Sequence, residues 1–169
     1  ITIILFILLL SCESNNKYPW FMENFDSAKS VAGSRLIMLD FYADWWGGCV
    51  RLDADTFTDF EIIKNADKYI SLKIDVDIPE NKILSEEFNV SSIPQNIFVN
   101  ANGNEVDRII GYLPPEEFKI KVFNILNGVG TVSDLKNKLS NNPNDVELLY
   151  TLGEKLAMVL EVSVVWTSL

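Results

Sequence analysis

The chain has 169 residues, 48% apolar and 22% charged, enough for one globular domain of ordinary size with an appendage. Its net charge of −10 argues against nucleic acid as a partner, because neutralising phosphates takes clustered Lys and Arg. The absence of histidine removes imidazole acid–base catalysis and histidine metal ligation, two cysteines alone cannot build a structural zinc site, and nothing calls for a nucleotide or flavin cofactor.

Ile1 to Leu10 is almost wholly apolar. As a helix it spans about 15 Å, half of a bilayer core, which suits the apolar stretch of a signal peptide better than a membrane span. It runs into Leu9-Leu10-Ser11-Cys12, which resembles a bacterial lipobox, where the leader is cut before the cysteine and the cysteine is lipidated. Residues 1–11 are therefore expected to be a signal peptide whose start precedes Ile1, and residues 12–18 a tether. The mature protein would sit outside the cytoplasmic membrane, in the bacterial periplasm or on the outer membrane face, held by acyl chains on Cys12. The alternative is a buried N-terminal strand carrying a chance cysteine.

Phe25 to Ala32 has helical spacing, and Gly33 can end it. Leu36 to Tyr42 is an apolar run interrupted only by Asp40, as in a strand covered on both faces. Gly47-Gly48 is a flexible turn. A helix is expected from Cys49 to about Phe57 and a second, short one from Asp59 to Asn65. Tyr69 to Asp75 alternates like a strand, and Asn81 to Phe88 reads as a helix with Ile83, Leu84 and Phe88 on one side. Asn96 to Asn100 and Glu105 to Ile110 read as a hairpin around Asn102-Gly103. Pro114-Pro115 opens a last helix to about Asn127, with Phe118, Val122, Ile125 and Leu126 on its core face. Strands joined by helices imply parallel pairing and the hairpin adds an antiparallel edge, so the expected architecture is α/β, a central mixed sheet with helices on both faces.

Two stretches carry a resemblance. "LIMLDFYADWWGGCVRLDADTFTD" is similar to the thioredoxin-like family, whose members end an acidic or polar strand in F-x-A-x-W-C-x-x-C. "VSSIPQNIFVNANGNEVDRIIGY" resembles that family's second landmark, a Pro loop followed by a strand, a turn with Gly, and a strand closing on Gly-Tyr. The likeness covers residues 19–127 and implies the thioredoxin-like fold and thiol–disulfide exchange on protein or peptide clients. Carried over by position, Asp40 matches the buried strand carboxylate, Cys49 the resolving cysteine and Pro94 the cis proline. Three positions depart from the pattern: Trp46 stands for the nucleophilic cysteine, Gly48 for the proline before the second cysteine, and Gln95 for the threonine after the cis proline.

Exchange needs a thiolate to attack a disulfide sulfur. In this fold the attacking cysteine sits at a helix start, where unpaired N–H groups and the helix dipole favour the anion. The indole of Trp46 does not ionise; it offers one N–H donor and a large apolar face. Cys49, a turn further on, would be shielded and mostly protonated, with no neighbour to resolve an adduct. Asp40 has either the family's proton-shuttling place or a bland one, half-exposed at a strand end. Trp45, Trp46, Gly47, Gly48 and the Ile93–Pro94 loop together suggest an apolar patch; the resemblance implies that the Ile93 backbone is offered to an extended client, by strand-like pairing that needs no thiol.

Beyond a short linker, residues 131–169 read as a helical extension. Thr131 to Ser140 is amphipathic through Val132, Leu135 and Leu139, and Asn141-Asn142-Pro143 is a turn. Val146, Leu149, Tyr150, Gly153, Leu156, Ala157 and Leu160 then fall on one helical stripe. Leu149-x-x-Leu152-Gly153-x-x-Leu156 resembles the first helix of a tetratricopeptide repeat, a unit that needs stacked neighbours, so further chain is expected; the alternative is a helix capping the main domain. Val162 to Leu169, rich in β-branched residues, is unlike either.

Three functions remain open: a redox-impaired client-binding domain, an active oxidoreductase whose first cysteine was lost by the one-base change that separates Cys and Trp codons, and a structural module carrying a repeat array. The lipobox reading predicts a mature N-terminus at an acylated Cys12, which intact mass spectrometry of protein exported from a bacterial host reads directly; an unmodified, uncleaved leader would contradict it.

Overall fold

The computed structural model describes residues 17–166, with side chains through residue 157. The expected leader, the lipidation site Cys12 and most of the tether lie outside the described residues.

The order is α1 (Phe25–Ala32), β1 (Ile37–Tyr42), α2 (Gly47–Arg51), α3 (Phe60–Asn65), β2 (Ile70–Asp75), α4 (Lys82–Glu87), β3 (Gln95–Val99), β4 (Glu105–Ile110), α5 (Pro115–Leu126), α6 (Val132–Asn141) and α7 (Val146–Trp166). The strands form one four-stranded sheet in the order β2-β1-β3-β4. β1 runs parallel to β2 and antiparallel to β3, and β3 is antiparallel to β4. This is the expected mixed sheet.

Alternation along the strands separates two cores. Met38, Phe98 and Ile109 face Leu52, Phe57, Ile62, Phe118, Val122 and Ile125 from the α2, α3 and α5 layer. Ile37, Leu39, Phe41, Ile70, Leu72, Ile97 and Val99 face Ala28 and Ala32 of α1, together with Phe88. Helix starts follow from local chemistry. The Asn24 side chain accepts from the Ser27 N–H, Asp59 from the Glu61 and Ile62 N–H groups, and Thr131 from Asp134 N–H. Pro115 occupies the first turn of α5, where its missing N–H costs nothing.

The structure departs from the sequence reading in four places. The helix expected from Cys49 starts at Gly47, and its second half, Leu52–Thr56, widens into a π turn closed by Phe57 N–H donating to Leu52 O at 3.0 Å. Ile83, expected beside Leu84 and Phe88, points outward: Leu84 and Phe88, four residues apart, share a side of the helix, and Ile83 stands about 100° round from Leu84. α7 continues to Trp166, through part of the β-branched stretch that read as unlike either a repeat helix or a capping helix; context overrides so weak a propensity. Finally, the expected stripe of α7 is its outer face: Val146, Leu149, Tyr150 and Leu156 are exposed, whereas Leu152 is buried and Lys155 pairs with Asp107 of β4. α6 packs on both α7 and β4, so these helices flank an otherwise open sheet edge.

Among the described residues no helix is long and apolar enough to cross a membrane. The inverted face of α7 gives a direct check. Leu152→Ala should lower stability by about 2 kcal/mol, whereas Leu149→Ala should change it by no more than about 0.5 kcal/mol; urea midpoints of the two variants decide.

Candidate functional site

β1 ends at Tyr42, and a tight turn carries the chain across to α2. The Trp46 N–H donates to Ala43 O at 3.2 Å, and Trp46 O accepts from Cys49 and Val50 N–H at 2.9 and 3.0 Å. Trp46 is thus the residue at which α2 begins, and its side chain makes no cap hydrogen bond. The ring stands edge-on to Trp45, centroids 5.9 Å apart at 83°. Trp45 is pinned in turn, its Nε1–H donating to Asp77 Oδ2 at 2.6 Å.

Gly48 explains how an indole fits here. A Cβ at Gly48 would lie 3.2 Å from Trp46 Nε1 and 3.1 Å from Pro94 Cδ. The indole therefore lies against the start of α2 in space that a side chain at 48 would claim. The two departures from the family pattern fit one another. The Ile93–Pro94 peptide, which is cis, lies opposite. Between them a cleft of about 250 Å³ is walled by Trp45, Trp46, Val76, Val90 and Ile93, with Lys82 at its rim. Gly47 is exposed at the mouth of the turn. The structure thus brings together Trp45, Trp46, Gly48, Ile93 and Pro94.

Cys49 lies beneath, only 2% exposed. Burial pushes its thiol upward; the Ala43 backbone opposes this, and the negative charge of Asp40 adds a lesser upward push. The sulfur is therefore held protonated and out of contact with solvent.

Asp40 is 1% exposed, so the half-exposed reading of it does not hold. Sheet register explains its company: Asp40 stands opposite Lys73 on β2 and opposite Asn96 on β3, three neighbours on one face. Asn96 Nδ2 donates to Asp40 Oδ1 at 2.8 Å, and Lys73 Nζ lies 3.4 Å from Asp40 Oδ2. Lys73 also donates to both oxygens of Asp53 at 2.7 Å and sits 3.9 Å from the centroid of the Tyr42 ring. Burial raises the Asp40 carboxyl from its ordinary 3.8 to about 6; Lys73 opposes that rise and Asp53 adds to it. The two carboxylates hold the Lys73 ammonium above its usual range, against the effect of its own burial.

Sequence reading missed Lys73, Asp53 and Asn96. Signals existed: Lys73 is the one charge inside the alternating run YISLKI, and Asp53 follows Cys49 by four residues, one helical turn.

A family model for the thioredoxin-like domain matches residues 25–125. The chain belongs to the thioredoxin-like family. It is 30% identical over 100 residues to the thiol:disulfide interchange protein DsbD of Haemophilus influenzae (strain PittEE), covering 57% of this chain and 17% of that protein. With the protein of the same name from Campylobacter jejuni (strain RM1221) it shares 34% identity over 106 residues, 60% of this chain and 18% of the relative. It thus spans under a fifth of the length of these curated relatives. Among solved structures, the C-terminal domain of Neisseria meningitidis DsbD in the oxidised form superposes with a TM-score of 0.51 at 27% identity, covering 59% of this chain and 86% of that one. A thioredoxin from Thermus thermophilus superposes at 0.56 with 22% identity, over 64% and 87% of the two chains, a likeness of fold.

The raised Asp40 has a consequence for stability. Its folded-state pKa lies above the unfolded value, so between about pH 4 and 6 the folded chain holds a proton that the unfolded chain has lost. Stability from this group is full below that window and falls as pH rises through it, by up to about 3 kcal/mol. Asp40→Asn should therefore stabilise the protein by about 1–3 kcal/mol at pH 7, a gain that disappears by about pH 4; urea titrations at the two pH values test this.

Proposed function

We propose that this is an extracytoplasmic, membrane-tethered thioredoxin-like domain that binds protein or peptide clients and is impaired in thiol–disulfide exchange. The observation that carries this reading is the indole of Trp46 at the first position of the site, above a buried and protonated Cys49. Exchange begins with a thiolate attacking a disulfide sulfur, and the accessible position has no sulfur. Cys49 is the one cysteine among the described residues and is a free thiol. An adduct on it would have no neighbouring thiol to expel the client.

What remains at the site suits binding. Two indoles supply large rigid faces, and Ile93 lies just outside the β3 ladder, which begins at Gln95. An extended client would lay its main chain along Ile93 and its apolar side chains in the cleft between Val76, Val90 and the indoles. Tethering through Cys12 and a place outside the cytoplasmic membrane belong to the same proposal; the similarity to thiol:disulfide interchange proteins and the lipobox-like stretch support them.

Two measurements test the reading. In an insulin-reduction assay with dithiothreitol the protein should stay at the uncatalysed rate, and Trp46→Cys, which restores a C-x-x-C pair, should rise clearly above it. Turnover by the unaltered protein at the speed of an active thioredoxin would defeat the proposal. Binding of fluorescently labelled, carboxymethylated insulin B chain, which has no free thiol, should be measurable, and Trp46→Ala should weaken it by roughly tenfold.

A further inference from the structure

The cleft is held by a network that begins on the far edge strand. Arg108 of β4 has a side chain only 7% exposed, and its guanidinium serves three partners at once. Nη1–H donates to Gln95 Oε1 at 3.0 Å, and Nη2–H donates to the Phe88 carbonyl at 2.9 Å. Nε–H and Nη2–H grip the two oxygens of Glu105 at 2.7 and 2.5 Å. Gln95, 1% exposed, passes the connection on, its Nε2–H donating to Ser92 Oγ at 3.2 Å.

These contacts bracket one segment. Phe88 closes α4, Gln95 opens β3, and between them runs the Asn89–Pro94 loop that carries Ile93. The guanidinium ties both ends of this loop to β4.

A backbone irregularity makes the grip possible. Residues 105 and 108 would point to opposite faces of a regular strand, because side chains alternate. In β4 the register slips: Phe98 pairs with Asp107 but Val99 pairs with Glu105, so Val106 is the extra residue of a bulge. The bulge turns Glu105 onto the face of Arg108, where its carboxylate orients the fork toward Gln95 and Phe88. A buried arginine with every arm engaged is a rigid bracket, and lysine has neither the fork nor the donor count to replace it.

We propose that Arg108 is a positioning residue for client capture: oriented by Glu105, it holds the ends of the Asn89–Pro94 loop so that the Ile93 main chain is presented to an extended client. This rests on the reading of that loop as the client-binding edge. Gln95, where the family pattern has threonine, is the arm by which the bracket reaches the loop.

The test uses Arg108→Lys and Arg108→Met in the full-length protein, with two readouts: amide hydrogen exchange, and binding of the carboxymethylated insulin B chain. Both variants should speed exchange at Val90 to Ile93 by about tenfold while β1 and β2 keep their protection. Both should weaken probe binding by about tenfold. Unchanged exchange in the loop, or faster exchange spread equally over β1 and β2, would overturn the proposal, as would a loosened loop with unaltered affinity. If the unaltered protein does not bind the probe, the client-binding reading falls together with this role, and the exchange pattern shows separately whether Arg108 braces the loop.

Discussion

The chemistry of this scaffold depends on what stands where β1 turns into α2. A sulfur there meets a helix start and can ionise; an indole there can neither ionise nor form a covalent bond to a client. Trp46 also reshapes its surroundings. It occupies space over Gly48 that a proline or any side chain at 48 would need, and it forms one wall of the cleft facing Ile93. The glycine and the indole therefore make a consistent pair. A single base change at codon 46 would account for the indole but not for the space made ready for it.

Beneath the indole lies a buried carboxylate with polar partners. Asp40, Lys73, Asn96 and Asp53 form a cluster dictated by strand register and by the first turns after β1. A buried carboxylate of raised pKa costs stability at neutral pH, and an apolar residue or amide in its place would relieve that cost. The two walls of the cleft stand on other supports: Asp77 accepts from Trp45, and Arg108 ties the ends of the loop opposite to β4.

Most of the fold was legible because hydrophobic period, turn residues and caps agreed with one another. The strand around Asp40, the Asn102-Gly103 hairpin and the Pro115 helix start are examples. Trp46, Cys49 and Pro94 were legible by position within two motifs. Lys73 and Asn96 were not, since cross-strand neighbours depend on register, which a single strand does not reveal. Arg108 was hidden for a further reason: its partnership with Glu105 exists only because of a bulge. α7 misled for the opposite reason. Its most regular apolar stripe is the outward one, and its inward side is marked by buried Leu152 and by Lys155, whose ammonium pairs with Asp107.

The most direct test of the central claim is to mix the purified protein with a small aromatic disulfide at pH 7 and follow its mass over time, with peptide mapping at Cys49. The account predicts a folded protein that stays unmodified at Cys49 until denaturant exposes the thiol. A mixed disulfide that forms on Cys49 and clears within seconds in the folded state would contradict it.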